Sequence, residues 1–263
     1  MSFSVTDDAA ALTAAINGFN AAYHVDYFTV RTEAVDYLSE PPSTVSASRL
    51  ALALIKVLES WGAGKRGAPA CRPVDSATEA LCNPTIHQKL TNLANSFEFL
   101  SVANGTRSLR VDSPFETVDE FDDCLIESLN ELAAGLLVGN TNVTYPMKAL
   151  LLITGLMPAY DSQVRGGLAV AGVSGVNRTR YLLPVQDCPD AKKICVLPFY
   201  IGDCISRTLP ILNKAIENSS YPMLKGQHGR LFDVLLFVQR NLTSESALIS
   251  FSAAQSSRRW YAI

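Results

Sequence analysis

The sequence predicts a mainly α-helical fold with few short strands. Apolar residues recur at helical spacing in several long segments, signals for helix starts and stops flank those segments, and strand-like alternation is scarce. The clearest segment runs from Ser46 to Trp61 and is rich in Ala, Leu and Ile. It stops at Gly62-Ala63-Gly64, where glycine can adopt the left-handed conformation that caps a helix.

The composition indicates a folded protein that needs no crosslinks. The chain has 263 residues, of which 48% are hydrophobic and 18% are charged, and a chain of this length can bury a core without disulfides or metals. The first residues lack the basic start and apolar run of a signal peptide, and no apolar stretch reaches the length of a membrane span. We therefore expect a cytoplasmic protein with free cysteines, folded as one unit over 1–263.

Charge is distributed unevenly along the chain. Residues 1–140 contain 9 Lys and Arg against 18 Asp and Glu, whereas residues 141–263 contain 13 against 7. A basic half can attract phosphate although the whole chain is acidic. The alternative interpretation is ordinary variation in surface charge.

The N-terminal half contains three further predicted elements. Apolar spacing predicts a helix from Ala9 to Tyr23, and β-branched and aromatic residues favour a strand over Tyr27–Arg31. A third segment, Thr78–Phe99, is helical in pattern but is interrupted near Asn83-Pro84. Residues 65–75 and 101–112 are expected to be connections.

A pair of helices with a short polar turn is predicted in the middle of the chain. Ser113-Pro114-Phe115-Glu116 has the pattern of a helix start and predicts a helix that continues to about Val138. The turn Gly139–Asn142 follows, and a second helix is expected to begin near Pro146 and to end at Gly155 or Met157.

The last third has a weaker pattern. Four glycines are interpreted as helix breaks, and two closing helices are predicted after them; the glycines are Gly166, Gly167, Gly172 and Gly175, and the helices are Asp203–Ile216 and Arg230–Gln239.

The segment that contains the candidate catalytic residues runs from Tyr145 to Arg165. Lys148 stands at the start of a helix, an apolar run follows, and the turn Pro158-Ala159-Tyr160 places Asp161 directly before another helix. Asp161 also fits an ordinary N-cap, and Lys148 also fits a solvated lysine in a first helical turn.

This arrangement resembles the helix-hairpin-helix DNA-glycosylase superfamily. In that superfamily a hairpin grips DNA phosphates, and an Asp follows a Pro-containing turn ahead of a helix. A second segment, Leu54–Gly67, looks like the Ser-Trp-Gly and basic-turn segment of bacterial proteins related to the 8-oxoguanine-glycosylase branch. The resemblance covers roughly residues 50–170 and implies a two-lobed helical fold, with residues 1–45 and 181–263 as packing helices and loops.

The resemblance implies a DNA glycosylase that flips a modified base out of double-stranded DNA and excises it by N-glycosidic hydrolysis. It implies catalytic roles for Asp161, as the carboxylate beside the sugar, and for Lys148, as a phosphate contact or a nucleophile. It also implies a base pocket and a set of DNA-backbone contacts; the pocket residues are Trp61, Tyr160 and Gln163, and the backbone contacts are Asn140, Asn142, Thr144, Lys65, Arg66 and Arg165. No cofactor and a monomer are expected.

Departures from the superfamily pattern refine these expectations. The usual Gly-rich hairpin is replaced by Asn140–Thr144, and the spacing from Lys148 to Asp161 is shorter than in lyase members, which favours a monofunctional enzyme. Cys188 and Cys195 match the first spacing of an iron–sulfur loop, but no fourth Cys follows at the required spacing, so no cluster is predicted.

Two roles are open for such an enzyme. One is repair, and the other is anti-phage defence against modified cytosines such as glucosylated hydroxymethylcytosine. The alternative class is a catalytically inactive helical DNA-binding or defence-associated interaction protein.

Overall fold

The computed structural model describes residues 2–65, 67–103, 105–139, 142–173 and 194–252. These residues form a mainly α-helical fold, as predicted, with ten α-helices: α1 Ala9–Gly18, α2 Ala21–Ser39, α3 Thr44–Ser60, α4 Val74–Leu81, α5 Pro84–Ala94, α6 Val118–Leu136, α7 Thr144–Thr154, α8 Ser162–Val170, α9 Val196–Glu217 and α10 His228–Gln239.

Short strands form three separate antiparallel pairs in the described part of the chain. The pairs are β1 Ser2–Val5 with β6 Ile249–Ser252, β2 Ala70–Cys71 with β5 Leu137–Val138, and β3 Leu100–Ala103 with β4 Thr106–Leu109. The β1–β6 pair brings the two ends of the described chain together, with Phe3 opposite Phe251. The connection expected at 101–112 contains the β3–β4 hairpin.

The predictions for the first 40 residues are wrong in two places. The helix expected to continue to Tyr23 breaks at Phe19, and Asn20 caps the start of α2 by accepting a hydrogen bond from the Ala22 backbone N–H at 2.9 Å. The strand expected over Tyr27–Arg31 lies inside α2. Tyr27 and Val30 are three residues apart and both fully buried, so the packing of one helical face overrides their β propensity.

Helix α6 begins four residues later than the sequence pattern predicts. Its N-cap is Thr117, whose hydroxyl accepts a hydrogen bond from the Glu120 backbone N–H at 3.1 Å. Two Ser/Thr-x-x-Glu sequences follow each other here, and the chain uses the second, directly before the buried Phe121 that starts the apolar face of α6. The hydroxyl of Ser113 instead accepts from the Phe115 N–H in a local turn.

Gly166 and Gly167 were predicted to break a helix, but both lie inside α8. A Cβ on Gly167 would lie only 1.9 Å from the Leu236 carbonyl oxygen, so Gly167 lets α8 pack directly on the backbone of α10, and Gly166 makes room for the Arg240 side chain. Gly172, with a φ of +96°, does follow the end of α8, whereas Gly175 lies outside the described residues. Helix α9 is longer than predicted, and α10 begins two residues earlier than predicted.

Several predicted boundaries are confirmed. Helix α3 ends before Gly62 and Gly64, which have φ angles of +102° and +75°. The interruption near Asn83 separates α4 from α5, and α7 ends at Gly155 with a φ of +68°. In each case a residue with a strong local preference sets the boundary.

Helix α7 occupies the centre of the core. Every residue from Tyr145 to Thr154 is buried, and the helix packs against α2, α3, α5 and α6. Helix α8 packs on α10, which also contacts α1 and α9. None of the helices in the described ranges combines the length and apolar character needed to cross a bilayer.

Candidate functional site

A cavity of about 590 Å³ opens where the end of α3, the start of α7, the turn before α8 and helix α10 meet. Five aromatic residues line one side of it, and we call them the aromatic wall: Phe19, Tyr23, Trp61, Tyr145 and Phe237. Five charged side chains also line the cavity, namely Lys148, Asp161, Arg165, Arg230 and Asp233, together with the uncharged Thr144, Ala159, Ser162 and Gln163. The volume lies within the range of pockets that hold small organic molecules.

Asp161 is the N-cap of α8, as the local pattern predicts. Its Oδ1 accepts hydrogen bonds from the backbone N–H groups of Gln163 at 2.9 Å and Val164 at 3.1 Å. Its Oδ2 lies 3.6 Å from the Nζ of Lys148. Capping therefore uses one carboxylate oxygen and leaves the other on the cavity side, next to a cation.

Lys148 is not the solvated surface lysine that its position in a first helical turn also allowed. The residue is only 8% exposed, and its Nζ donates a hydrogen bond to the Trp61 carbonyl oxygen at 3.2 Å. The ammonium lies 4.9 Å from the centre of the Tyr145 ring and 5.9 Å from that of Trp61. Two aromatic rings, a carbonyl and a carboxylate thus replace water around this charge.

The indole of Trp61 is held in place by Asp26 and Tyr23. Its Nε1 donates a hydrogen bond to Asp26 Oδ2 at 2.9 Å, and its ring meets that of Tyr23 edge to face at 5.8 Å. Since the indole N–H is already paired with Asp26, Trp61 offers the cavity its apolar ring surface.

A buried ion pair, Arg230 and Asp233, closes the inner end of the cavity. The two residues are 1% and 5% exposed, and Arg230 Nη1 donates to Asp233 Oδ2 at 2.6 Å. Arg230 Nη2 also donates to the Tyr23 carbonyl oxygen at 2.8 Å, and Asp233 Oδ1 accepts from the Ala159 backbone N–H at 3.0 Å. Burial raises the pKa of Asp233 to about 6, against the opposing effect of the Arg230 charge.

The predicted base-pocket residues separate into two groups. Trp61 and Gln163 line the cavity, and Gln163 accepts a hydrogen bond from Arg240 through its Oε1. Tyr160 does not line it, because its ring is buried in the core with 2% exposure. Neighbouring residues of an extended backbone point in opposite directions, so the turn that aims Asp161 at the cavity aims Tyr160 away from it.

The predicted DNA-backbone residues are dispersed. Thr144 and Arg165 line the cavity, and the Asn142 Oδ1 accepts a hydrogen bond from the Thr144 N–H at 3.0 Å. Lys65 is exposed in the turn after α3. Arg66 and Asn140 lie outside the described residues.

Sequence reasoning missed most of the aromatic wall and the ion pair. Phe19, Tyr23, Tyr145 and Phe237 have the spacing of ordinary core residues, and nothing local distinguishes them. The ion pair did carry a signal, since an Arg and an Asp three residues apart interrupt the otherwise apolar helix α10. Charged residues are almost never fully buried unless they are paired.

The arrangement can hold a planar ring against aromatic surfaces and place a carboxylate and an ammonium beside it. A carboxylate in this setting can stabilise positive charge that develops on a bound molecule. Within the described ranges no three His, Cys, Asp or Glu side chains converge to hold a metal ion. Comparisons with models of protein families, with curated proteins and with solved structures each found no match.

Proposed function

We propose that the protein is a DNA glycosylase that flips a modified base out of double-stranded DNA and hydrolyses its N-glycosidic bond, leaving an abasic site. The observation that carries the proposal is the pairing of Asp161 with Lys148, 3.6 Å apart, beside a cavity with an aromatic wall. The proposal is consistent with the order of hairpin, Lys helix, Pro-containing turn and Asp helix in this chain.

In the proposed reaction Asp161 acts on the sugar. Loss of the base gives the deoxyribose an oxocarbenium-like positive charge, which a carboxylate beside C1′ stabilises while it orients the attacking water. The Oδ1 of Asp161 is held by two backbone N–H groups, so the carboxylate is oriented before DNA binds. Such preorganisation avoids a reorganisation cost at the moment of reaction.

The cavity receives the flipped base. Bases that leave the stack are held by stacking on aromatic side chains and by hydrogen bonds to their edges, which the aromatic wall and Gln163 can supply. A volume of about 590 Å³ leaves room for a base with a large substituent. We therefore extend the proposal to a hypermodified base, such as glucosylated hydroxymethylcytosine, which this volume can accommodate, and to a role in anti-phage defence.

Lys148 is assigned an electrostatic role in this proposal. Its Nζ is already engaged by the Trp61 carbonyl oxygen and by Asp161, which favours a contact to the DNA backbone near the cleaved sugar over covalent attack. The enzyme is therefore proposed to be monofunctional. Thr144 and Arg165, at the same cavity, are the nearest candidates for further phosphate contacts.

The test is incubation with unmodified, uracil-containing, 8-oxoguanine-containing and glucosylated hydroxymethylcytosine DNA, followed by counting of abasic sites after alkaline cleavage. We expect base release from at least one modified DNA and a loss of roughly 100-fold or more in Asp161→Asn. Asn caps a helix about as well as Asp, so this variant keeps α8 intact.

Asp8→Asn is the matched control. Asp8 caps α1 with the same geometry, accepting from Ala10 N–H at 2.9 Å and Ala11 N–H at 3.0 Å, and it does not line this cavity. Release that persists unchanged in Asp161→Asn contradicts the mechanism. Salt-sensitive DNA binding without abasic product from any of these DNAs would instead favour the non-catalytic DNA-binding class.

A further inference from the structure

The buried pair Arg230 and Asp233 connects two parts of the cavity that are far apart in the chain. Arg230 reaches the start of α2 through the Tyr23 carbonyl oxygen, and Asp233 reaches the turn before α8 through the Ala159 N–H. We infer that Arg230 and Asp233 are positioning residues that hold the turn bearing Asp161 at a set distance from the aromatic wall. The catalytic consequence of this inference rests on the proposed function, but the positioning itself does not.

The turn between α7 and α8 depends on contacts from outside itself. Its backbone is not helical, so its N–H groups need acceptors from elsewhere, and a buried N–H without an acceptor is costly. Asp233 Oδ1 supplies the acceptor for Ala159, two residues before Asp161. A small movement of this bond therefore moves the carboxylate at the cavity.

Helix α10 lies directly against the same turn. A Cβ on Gly229 would lie 2.2 Å from the Gly155 carbonyl oxygen and 2.7 Å from the Met157 nitrogen. The first residues of α10 are thus in backbone contact with the chain that leaves α7. The ion pair on α10 follows within four residues of this contact, so helix and turn are joined at two successive points.

On its other side, the ion pair packs against two residues of the aromatic wall and against the buried Tyr27. The guanidinium of Arg230 lies 4.9 Å from the ring centre of Phe19, 5.1 Å from that of Tyr27 and 5.7 Å from that of Trp61. Trp61 in turn offers its carbonyl oxygen to Lys148. The pair consequently links the ring that faces the cavity, the lysine and the turn of Asp161 in one continuous set of contacts.

Two double variants separate positioning from simple stabilisation. Arg230→Met/Asp233→Asn removes both charges but keeps a side-chain oxygen that can accept from the Ala159 N–H. Arg230→Met/Asp233→Leu removes the same charges and the acceptor as well. Replacing both partners of a buried ion pair is tolerated far better than removing one, so both variants are expected to fold.

The first measurement is independent of activity. NMR records the carboxyl carbon signal of Asp161 at one fixed pH, together with the amide signals of Gln163 and Val164. We expect the Leu variant to show displaced amide signals and a displaced Asp161 carboxyl signal. The Asn variant keeps the acceptor for Ala159 but lacks Arg230, so its signals are expected to lie between those of the wild type and the Leu variant. Arg107→Met/Asp122→Leu, at a partly buried ion pair whose residues do not line the cavity, is the control and should leave these signals in place.

The second measurement is the rate of base release by the same variants. We expect kcat of the Leu variant to fall about 10- to 100-fold, because a displacement of about 1 Å misaligns the carboxylate. Its KM is expected to match that of the Asn variant within a few-fold, since both variants replace the same two cavity-lining side chains. Recovery of kcat in the Asn variant, relative to the Leu variant, separates misalignment of the Asp161 carboxylate from a general loss of stability.

The outcomes are distinct for the two proposals. If the Asp161 signals are the same in the Leu variant and the wild type, the positioning inference is wrong. If they differ as expected but no DNA yields abasic sites with the wild type, the positioning inference stands and the glycosylase proposal fails.

Discussion

Two Arg–Asp ion pairs in the described part of the chain use their hydrogen bonds differently. Arg107 and Asp122 bind each other twice, at 2.6 and 3.0 Å, and join β4 to α6. Arg230 and Asp233 share one hydrogen bond of 2.6 Å and direct a remaining donor and acceptor to the Tyr23 carbonyl and the Ala159 N–H. The first pair is joined by two hydrogen bonds between its own side chains, whereas the second shares one and also binds the backbone of two cavity walls.

The difference shows how a buried ion pair can set the relative position of two walls of a site. A bidentate pair fixes two elements relative to each other. A pair with one shared bond leaves hydrogen-bonding capacity that must be satisfied by nearby backbone, so the geometry of that backbone becomes tied to the pair.

The largest effect is expected when one partner of each pair is removed. Breaking a buried ion pair costs about 3–5 kcal/mol, because the remaining charge stays buried without a partner. We expect Asp233→Asn to lower the free energy of unfolding more than Asp122→Asn, since the Arg230 side chain is 2% exposed and that of Arg107 is 19% exposed. Arg107 can reach water when its partner is lost.

Urea denaturation of both variants measures the difference. If the two variants are destabilised equally, or Asp122→Asn is the less stable, then exposure of the arginine does not decide the cost and the contrast between the pairs is smaller than proposed.

The next largest effect on stability is expected at the close contact between α8 and α10. In Gly167→Ala the new methyl group would lie 1.9 Å from the Leu236 carbonyl oxygen, so the two helices must separate. Overpacking of this kind costs about 1–3 kcal/mol and moves the helix that bears the second pair. Unfolding in urea gives the stability, and Gly18→Ala is the control, because a Cβ there meets nothing within 4 Å. Equal stability of the two variants would show that α10 can shift freely.

The smallest expected effect is a pH dependence of the free energy of unfolding, caused by His24 next to the Arg230–Asp233 pair. His24 lies in α2 close to Arg230, and burial together with that charge lowers its pKa to about 4. As pH falls from 6.5 towards 4, the unfolded chain takes up a proton at this residue before the folded protein does, so stability is lost on acidification. Removal of the imidazole should reduce this loss.

We therefore expect His24→Leu to lose less stability than the wild type between pH 7 and pH 5, by about 1–2 kcal/mol. The raised pKa of Asp233 has the opposite effect on stability: between about pH 4 and 6 acidification stabilises the folded protein, because there the folded protein holds a proton on Asp233 that the unfolded chain has lost. The charged and titratable groups around Asp233 include Arg230 on the same helix, Asp161 at the start of α8 and Tyr27 on α2. Urea curves at both pH values measure the difference, and parallel losses in the two proteins would contradict the prediction for His24.

The local parts of the candidate site were predictable. Asp161 before a helix is a cap pattern, and Gly155 is a typical helix end, because such preferences depend on a few neighbouring residues. The errors fall where two local patterns compete, as at Ser113 and Thr117, or where burial outweighs propensity, as at Tyr27. In both cases the deciding term comes from residues far along the chain.

The sequence by itself determined the helical class, most helix boundaries and the order in which Lys148 and Asp161 follow the turn, because these depend on spacing and on short-range backbone preferences. Only the tertiary structure decided that Lys148 is buried between Trp61 and Tyr145, that Tyr160 faces the core, and that residues 19–23 and 230–237 complete the cavity. These contacts join segments separated by as many as 207 residues, and their free energy arises from burial and pairing that no local pattern records.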